Sequence, residues 1–511
     1  LSPGVHLAPR LSIATLTDRL PDGSTGPRID PTETTIGIVH FGIGAFHRSH
    51  QAVFTEDAAA ATGESGWGIL GVTGRSDAVV EQLRPQDCLY GVLQKDRDET
   101  SLRIVGSVRE VAFPGRDSVR VVEVLAGPTT QIATLTITEK GYLRAPDGAI
   151  DLSLASVQHD LRIIERQLAG EQPTEPSETA IGLLVRGLAA RFSLGAEPFT
   201  VLCCDNLVDN GSMVKRVILS LAAAIGTGDR SSARFLDWLG ESVAFPSSMV
   251  DRITPAVTEV DREEALALLG LRDDALVVAE PFSQWVIEDR FAGRRPAWEL
   301  AGVTITDDVA PYEKAKLRIL NATHSLLAYL GMVKGHRTIA DAVADDALLL
   351  VAGRVLDDDI LPTLEELPGL DLRQYRDTVL ERIGNPALKH TTRQVGMDGS
   401  QKLPNRIIGV AVERLAAGEV PRGLALAIAA WIRYIASTME EGAPPLDDPI
   451  ADVLTAAIGS ADAPDTDPTG VVDRMFAIAA VFPAELAAST EFRDAVAAQL
   501  DEVRRITAIP L

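Results

Sequence analysis

Ile36-Gly-Ile-Val-His-Phe41 is a short apolar run that stops at Gly42-Ile-Gly44, and an alanine-rich stretch follows from His50 through Ala61. An apolar run bounded by glycine reads as a buried strand, and the stretch after it as a helix. Strand, glycine turn and helix in succession constrain the fold more than any other feature of the chain, because parallel strands need helical crossovers between them. Glycines at such a turn let the backbone approach a pyrophosphate at a helix N-terminus. The third glycine of the usual fingerprint is absent, and His47 stands in its place.

The pattern continues. Trp67-Gly-Ile-Leu-Gly-Val72 reads as the next strand, and further strands are expected over residues 102–108, 131–138 and 198–204. Helical pieces are expected between them, at 118–125 and 152–168. This alternation predicts an α/β fold: an N-terminal Rossmann-type, doubly wound sheet covered on both faces. Beyond about residue 300 the strand signals fade, and helices are expected over 312–332, 338–356, 370–383, 405–417, 423–436 and 471–482. The expected organisation is an irregular lead-in (1–34), a Rossmann-type domain (35–300) and a mostly α-helical C-terminal domain (301–511). A chain of 511 residues exceeds what one core usually supports, which agrees with this division.

The formal net charge of −24 repels phosphate backbones, so no nucleic-acid partner is expected. An anionic cofactor is still admissible, since a local nest of N–H groups decides that. Cys88, Cys203 and Cys204 form no Cys-x-x-Cys pattern and no disulfide framework, which points to a reducing, cytoplasmic setting. No basic stretch followed by an apolar run stands at the start, and no apolar stretch is long enough to span a bilayer. A secretory signal and a membrane partner are therefore not expected.

Lys316, Asn321 and His324 lie close together in an expected helix. At about 100° per residue, His324 falls near ~80° and Asn321 near ~140° from Lys316, so all three can line one wall. Leu320, Thr323 and Leu327 share that side. An amine against an apolar wall loses hydration, which lowers its pKa. Such a lysine can take a proton from an alcohol and return it to a carbonyl, while a neighbouring amide donates to a developing alkoxide.

Other groupings remain open on residue chemistry alone. His47 and His50 have i, i+3 spacing, but no third metal ligand is evident, so no metal is expected. Arg48 is placed to approach a phosphate. Asp205-Asn206 follows an expected strand, where ligands of open α/β sheets bind, although Asp and Asn also favour caps and turns. Val250-Asp-Arg-Ile-Thr-Pro255 could hold a structural ion pair or offer a carboxylate to sugar hydroxyls.

Together these segments resemble the long-chain polyol dehydrogenases, the mannitol dehydrogenase family. The resemblance rests on Ile38-Val-His-Phe-Gly-Ile-Gly-Ala-Phe-His-Arg-Ser-His50, Thr136-Ile-Thr-Glu-Lys-Gly-Tyr142, Cys204-Asp-Asn206, Val250-Asp-Arg-Ile-Thr-Pro255, Lys316-x4-Asn321-x2-His324 and Asp398-Gly-Ser-Gln-Lys402. The first 34 residues and roughly the last 70 carry no matching motif.

The resemblance implies zinc-independent, NAD-dependent interconversion of a sugar alcohol and its 2-ketose. It implies Lys316 as acid/base, Asn206 and Asn321 as alkoxide donors, and His324 and Asp251 orienting the substrate beside Val250. Arg393 and Lys402 are further substrate candidates. The cofactor loop is implied to run through Ile38, Phe41, Gly42, Ile43, Gly44, Ala45, Phe46, His47 and Arg48, with Glu139 and Lys140 from the second motif. Asp77 would favour NAD by binding a ribose diol, whereas Arg75 could accommodate a 2′-phosphate; NAD is expected. Gln394 stands where some members carry arginine, which turns the reading toward a neutral polyol of the mannitol/fructose type. Fructuronate/mannonate is the alternative substrate pair. A catalytically silent sugar- or nucleotide-binding protein is the alternative from another class. A monomer or weak homo-oligomer is expected.

Overall fold

The computed structural model describes residues 8–17, 19–226 and 230–508, so residues 1–7 and 18 of the expected lead-in lie outside the described residues. The chain divides into two compact units, Leu1–Ala310 and Pro311–Leu511.

The first unit is built on six parallel strands: β1 (Ile36–Phe41), β2 (Gly68–Val72), β3 (Val108–Ala112), β4 (Ile132–Leu135), β5 (Phe199–Cys203) and β6 (Val243–Ala244). Their spatial order is β3-β2-β1-β4-β5-β6, the doubly wound Rossmann order, with the direction of winding reversing between β1 and β4. Side chains alternate across this sheet. Val39 and Phe41 enter one core with the helices Pro114–Ala126, Ala155–Leu168, Ala180–Ser193 and Asn210–Ala223. Ile38 and Ile43 enter the other with Phe54, Trp285 and Trp298. Burial of each tryptophan contributes roughly 4 kcal/mol or more at about 25 cal/mol per Å². Burial on both faces explains why β1 and β2 read as continuous apolar runs.

Residues 102–108, expected as one strand, span two. Thr100–Val105 pairs antiparallel with Tyr90–Lys95 in a second, four-stranded sheet, while β3 forms the edge of the Rossmann sheet. The break falls at Gly106-Ser107, where a Cβ on Gly106 would lie 2.8 Å from the Pro31 side chain. Within the expected irregular lead-in, Ser24–Thr25 adds an edge strand beside Thr100–Val105. A third sheet joins Ser248–Asp251, Gln284–Glu288 and Thr304–Thr306.

In the described residues of the second unit every element is helical. Ala322–Lys334 is buried over nearly its whole circumference and packs against Arg422–Ser437, which packs in turn against Thr490–Thr507. That last, 18-residue helix was not expected from the sequence. The expected helix 338–356 is split, because the Asp345 carboxylate accepts from the N–H groups of Ala347 and Leu348 and starts a new helix, Asp346–Arg354. The expected helices around 312–332 and 405–417 each contain a π-helical turn, Leu317–Asn321 and Pro404–Ile408. No helix among the described residues is long and apolar enough to cross a membrane.

Candidate active site

At the end of β1 the Gly42 N–H donates to the Val72 carbonyl (2.8 Å), and its backbone adopts φ +96°. A Cβ there would lie 2.0 Å from the Thr136 carbonyl oxygen, so only glycine fits. From the β4 side the Thr136 hydroxyl donates to the Gly42 carbonyl (2.8 Å). His40 completes this brace: Nδ1 meets the Thr134 hydroxyl (2.7 Å) and Nε2 the Thr136 hydroxyl (2.9 Å). The helix after the loop is short, Ala45–Ser49, and the backbone breaks at His50 before Gln51–Thr62 begins.

The loop's polar side chains turn inward. Arg48 is buried over the Tyr90 ring and donates to the carbonyls of Gly44 and Ala275. Those bonds commit its guanidinium to holding the loop. His47 stacks on His40, and burial holds its pKa well below the ordinary value, with the neighbouring His40, His50 and Arg48 acting the same way. His50 Nε2 donates to the Gln284 carbonyl (2.9 Å). Among the described residues no three His, Cys, Asp or Glu side chains come together as metal ligands. All three cysteines are buried and unpaired by disulfides.

Beyond the carboxyl ends of the strands lies a cavity of about 800 Å³. It opens where β1 and β4 part, and Gly42, Gly74, Arg75, Thr136, Thr138 and Lys140 line it with Phe113 and Pro114. Ligand clefts of this size take cofactor-sized molecules, and in doubly wound sheets they lie at this switch point. Asp77 is half-exposed, begins the helix Ala78–Leu83 and faces Arg116 at 3.8 Å, whereas Arg75 is on the cavity wall. Glu139 pairs with Arg144 (2.9 Å) on the surface.

Asn206 is exposed one residue beyond Asp205, just past the tip of β5. Thr138, on the loop after β4, has φ 63° and ψ 162°, a region that costs a β-branched residue about 1–3 kcal/mol. The local sequence carries no sign of this strain, nor of the part Ser177 to Thr179 play in the cavity wall before the helix Ala180–Ser193, itself not expected from the sequence. Val250 and Asp251 are buried on the strand Ser248–Asp251, opposite Trp285 and Gln284. Arg252 donates to the Glu280 carbonyl (3.0 and 2.7 Å) and to that of Ser49.

In the helical unit Lys316 ends the helix Ala310–Lys316, Asn321 ends the π turn that follows, and His324 lies in the helix after it. Lys316 and His324 are buried, at 7% and 8% exposure. An uninterrupted α-helix would place His324 ~80° from Lys316. The extra residue of a π turn sets later side chains back by about 100°, which brings His324 to within about 20° of Lys316. The π turns Leu317–Asn321 and Pro404–Ile408 pack on each other, and Arg406 from the second donates to the Asn321 carbonyl (3.4 Å) and the Ser325 hydroxyl (3.0 Å).

Lys402 donates to the Val395 carbonyl (3.3 Å), and burial followed by Arg406 lowers its pKa. Burial and Lys402 lower that of His390, whose ring stands edge-on to His324 at 5.5 Å. Arg393 is exposed beside the Pro445 carbonyl, and Gln394 closes a capping box with Thr391.

Parallel strands in this order, with a cavity at the switch point and an all-helical unit after them, define a two-domain protein of the Rossmann class. Residues 36–300 match the mannitol dehydrogenase Rossmann domain and residues 308–504 the mannitol dehydrogenase C-terminal domain. The chain belongs to the mannitol dehydrogenase family. It is 40% identical over 421 residues to D-mannonate oxidoreductase of Escherichia coli (strain K12), covering 81% of this chain and 83% of that relative. It is 37% identical over 420 residues to mannitol 2-dehydrogenase of Cereibacter sphaeroides, covering 82% and 84%. The solved structure of Pseudomonas fluorescens mannitol 2-dehydrogenase, a ternary complex with NAD and D-mannitol, superposes with a TM-score of 0.78 at 33% identity and 97% coverage of both chains.

Proposed function

We propose that this protein is an NAD-dependent oxidoreductase that interconverts a sugar alcohol and its 2-ketose, with Lys316 as acid/base. The observation that carries the reading is Lys316 buried at the start of a π turn that ends in Asn321, in a chain whose other unit is a Rossmann sheet. Single π turns inside helices gather at functional sites. The glycine that admits no Cβ and the cavity beside it fit NAD. NAD, when bound there, would supply the hydride chemistry. In oxidation, neutral Lys316 takes the hydroxyl proton; in reduction, its ammonium returns a proton to the ketone oxygen. Asn321 donates its amide N–H to the forming alkoxide, a bond strongest near the transition state. His324 orients substrate hydroxyls. Asn206, beyond the tip of β5, is a further amide donor, and Val250 and Asp251 contact substrate.

A second reading has the same chemistry acting on an aldonate and its keto-acid. Lys402 and Arg406 favour it, because among the described residues neither forms an ion pair, and a substrate carboxylate would supply one. The test is absorbance at 340 nm with NADH and a panel of fructose, fructuronate, tagaturonate and xylulose. Oxidation of NADH by the neutral ketoses supports the first reading. Turnover confined to the uronates, and lost in Arg406→Leu, establishes the second. No turnover with any of them, together with no NADH binding, sinks both.

A further inference from the structure

Asp205 has no part in the reaction proposed above, yet three donors converge on its carboxylate. The Ile137 N–H donates to Oδ2 (2.9 Å), the Thr138 N–H to Oδ1 (2.9 Å) and the Tyr142 hydroxyl to Oδ2 (2.6 Å). Burial pushes the Asp205 pKa up, and the Tyr142, Ile137 and Thr138 bonds oppose it. All three donors come from the loop after β4, while Asp205 stands at the tip of β5. The carboxylate therefore ties together the ends of two neighbouring strands.

What it holds is strained. Thr138 sits at φ 63° and ψ 162°, where glycine is nearly the only comfortable residue. Two successive N–H groups facing one carboxylate keep the backbone in that shape. The same loop gives Thr136, Ile137, Thr138, Lys140 and Gly141 to the cavity wall. The residue after Asp205 is Asn206, and the Asp205 carbonyl is itself fixed by the Asn210 amide (3.0 Å), which also donates to the Ser248 carbonyl (2.7 Å).

We propose that Asp205 is a positioning residue: its carboxylate shapes the strained loop from Thr136 to Tyr142 into one wall of the dinucleotide cavity and fixes that wall relative to Asn206. The assignment rests on the NAD reading above. Asp205 does not touch the reacting atoms; it acts through Thr138 and Asn206.

The test is Asp205→Asn in the full-length protein. The amide keeps the size but presents an NH2 group to one of the two backbone donors. Titration with NADH, followed by nicotinamide fluorescence, reads affinity without substrate or turnover. The dissociation constant should rise about tenfold or more, and kcat should fall with it. Adding Thr138→Gly should restore about threefold or more of the lost affinity, because glycine holds this φ and ψ without a template. A carboxylate that only stabilised the fold would leave the affinity of the folded protein unchanged. Should Asp205→Asn fail to fold, Tyr142→Phe removes one donor and keeps the carboxylate; weaker NADH binding supports the assignment, and unchanged binding overturns it. Wild-type protein that binds no NADH refutes the underlying cofactor reading. Wild-type binding that both variants match refutes the positioning role alone.

Discussion

The imidazole of His47 lies flat against that of His40, with ring centroids 3.4 Å apart and planes 15° from parallel. Burial is the largest cause holding both rings neutral, and it takes the His40 pKa down to about 3. The unfolded chain binds a proton at His40 below about pH 6.5, which the folded protein refuses until about pH 3. The stability contribution is thus fully present above pH 6.5 and is lost as pH falls, by about 1.4 kcal/mol per unit for one such group. Urea midpoints measured from pH 7 to pH 4 should decline, and His40→Gln should flatten the decline. A wild-type midpoint that stays level over that range contradicts the neutral stacked pair.

Gly42→Ala should be severe. The added methyl would meet backbone, the Thr136 carbonyl at 2.0 Å, and not a flexible side chain. A loss of about 2 kcal/mol or more in denaturant unfolding is expected, with NADH binding lost in the protein that still folds. Near-wild-type affinity in Gly42→Ala would mean that this loop does not approach the cofactor.

Lys316→Ala should lower turnover by about 10²-fold to 10⁴-fold while leaving the NADH dissociation constant unchanged, since the lysine handles a proton and not the dinucleotide. In the wild type the oxidative rate should rise with pH as Lys316 loses its proton, because only a neutral amine accepts one. An oxidation profile flat from pH 6 to 10, with the chemical step limiting, would remove the assignment.

Asn206→Ala and Asn321→Ala should each reduce kcat by about 10²-fold, the usual cost of losing one alkoxide donor. The double variant should lose less than the product of the two, since both amides are proposed to serve one oxygen. Full multiplicativity in steady-state kinetics would show that the two act on different events.

Prolonged dialysis against a chelator should leave turnover intact. Among the described residues no third His, Cys, Asp or Glu side chain joins His47 and His50, and His50 Nε2 already donates to the Gln284 carbonyl, so this pair is not poised as a ligand set. Stoichiometric zinc whose removal abolishes activity and whose return restores it would displace the lysine chemistry.

How much was legible in the sequence differs residue by residue. β1 and the turn after it were plain, because a buried strand needs unbroken apolar residues and a left-handed turn under a neighbouring carbonyl needs glycine. The helix around Lys316 was equally plain from its apolar spacing. Its π turn was not, since a shift from i−4 to i−5 hydrogen bonding leaves no mark in composition. The break at Gly106-Ser107 was hidden because apolar residues flank it on both sides, and which sheet each half joins depends on distant partners.

By itself the sequence determined the local alphabet of this protein: where parallel strands and their crossovers fall, where glycine alone is tolerated, and which polar residues sit at strand ends. These are short-range matters of periodicity and backbone sterics. Only the tertiary structure decided what the charged and polar groups do. Arg48 is spent on the carbonyls of Gly44 and Ala275, and Asp205 gathers donors from Ile137, Thr138 and Tyr142. A buried charge or carboxylate must find partners wherever the fold brings them. Apart from Gly44, those partners lie tens to hundreds of residues away along the chain, beyond the reach of any local pattern.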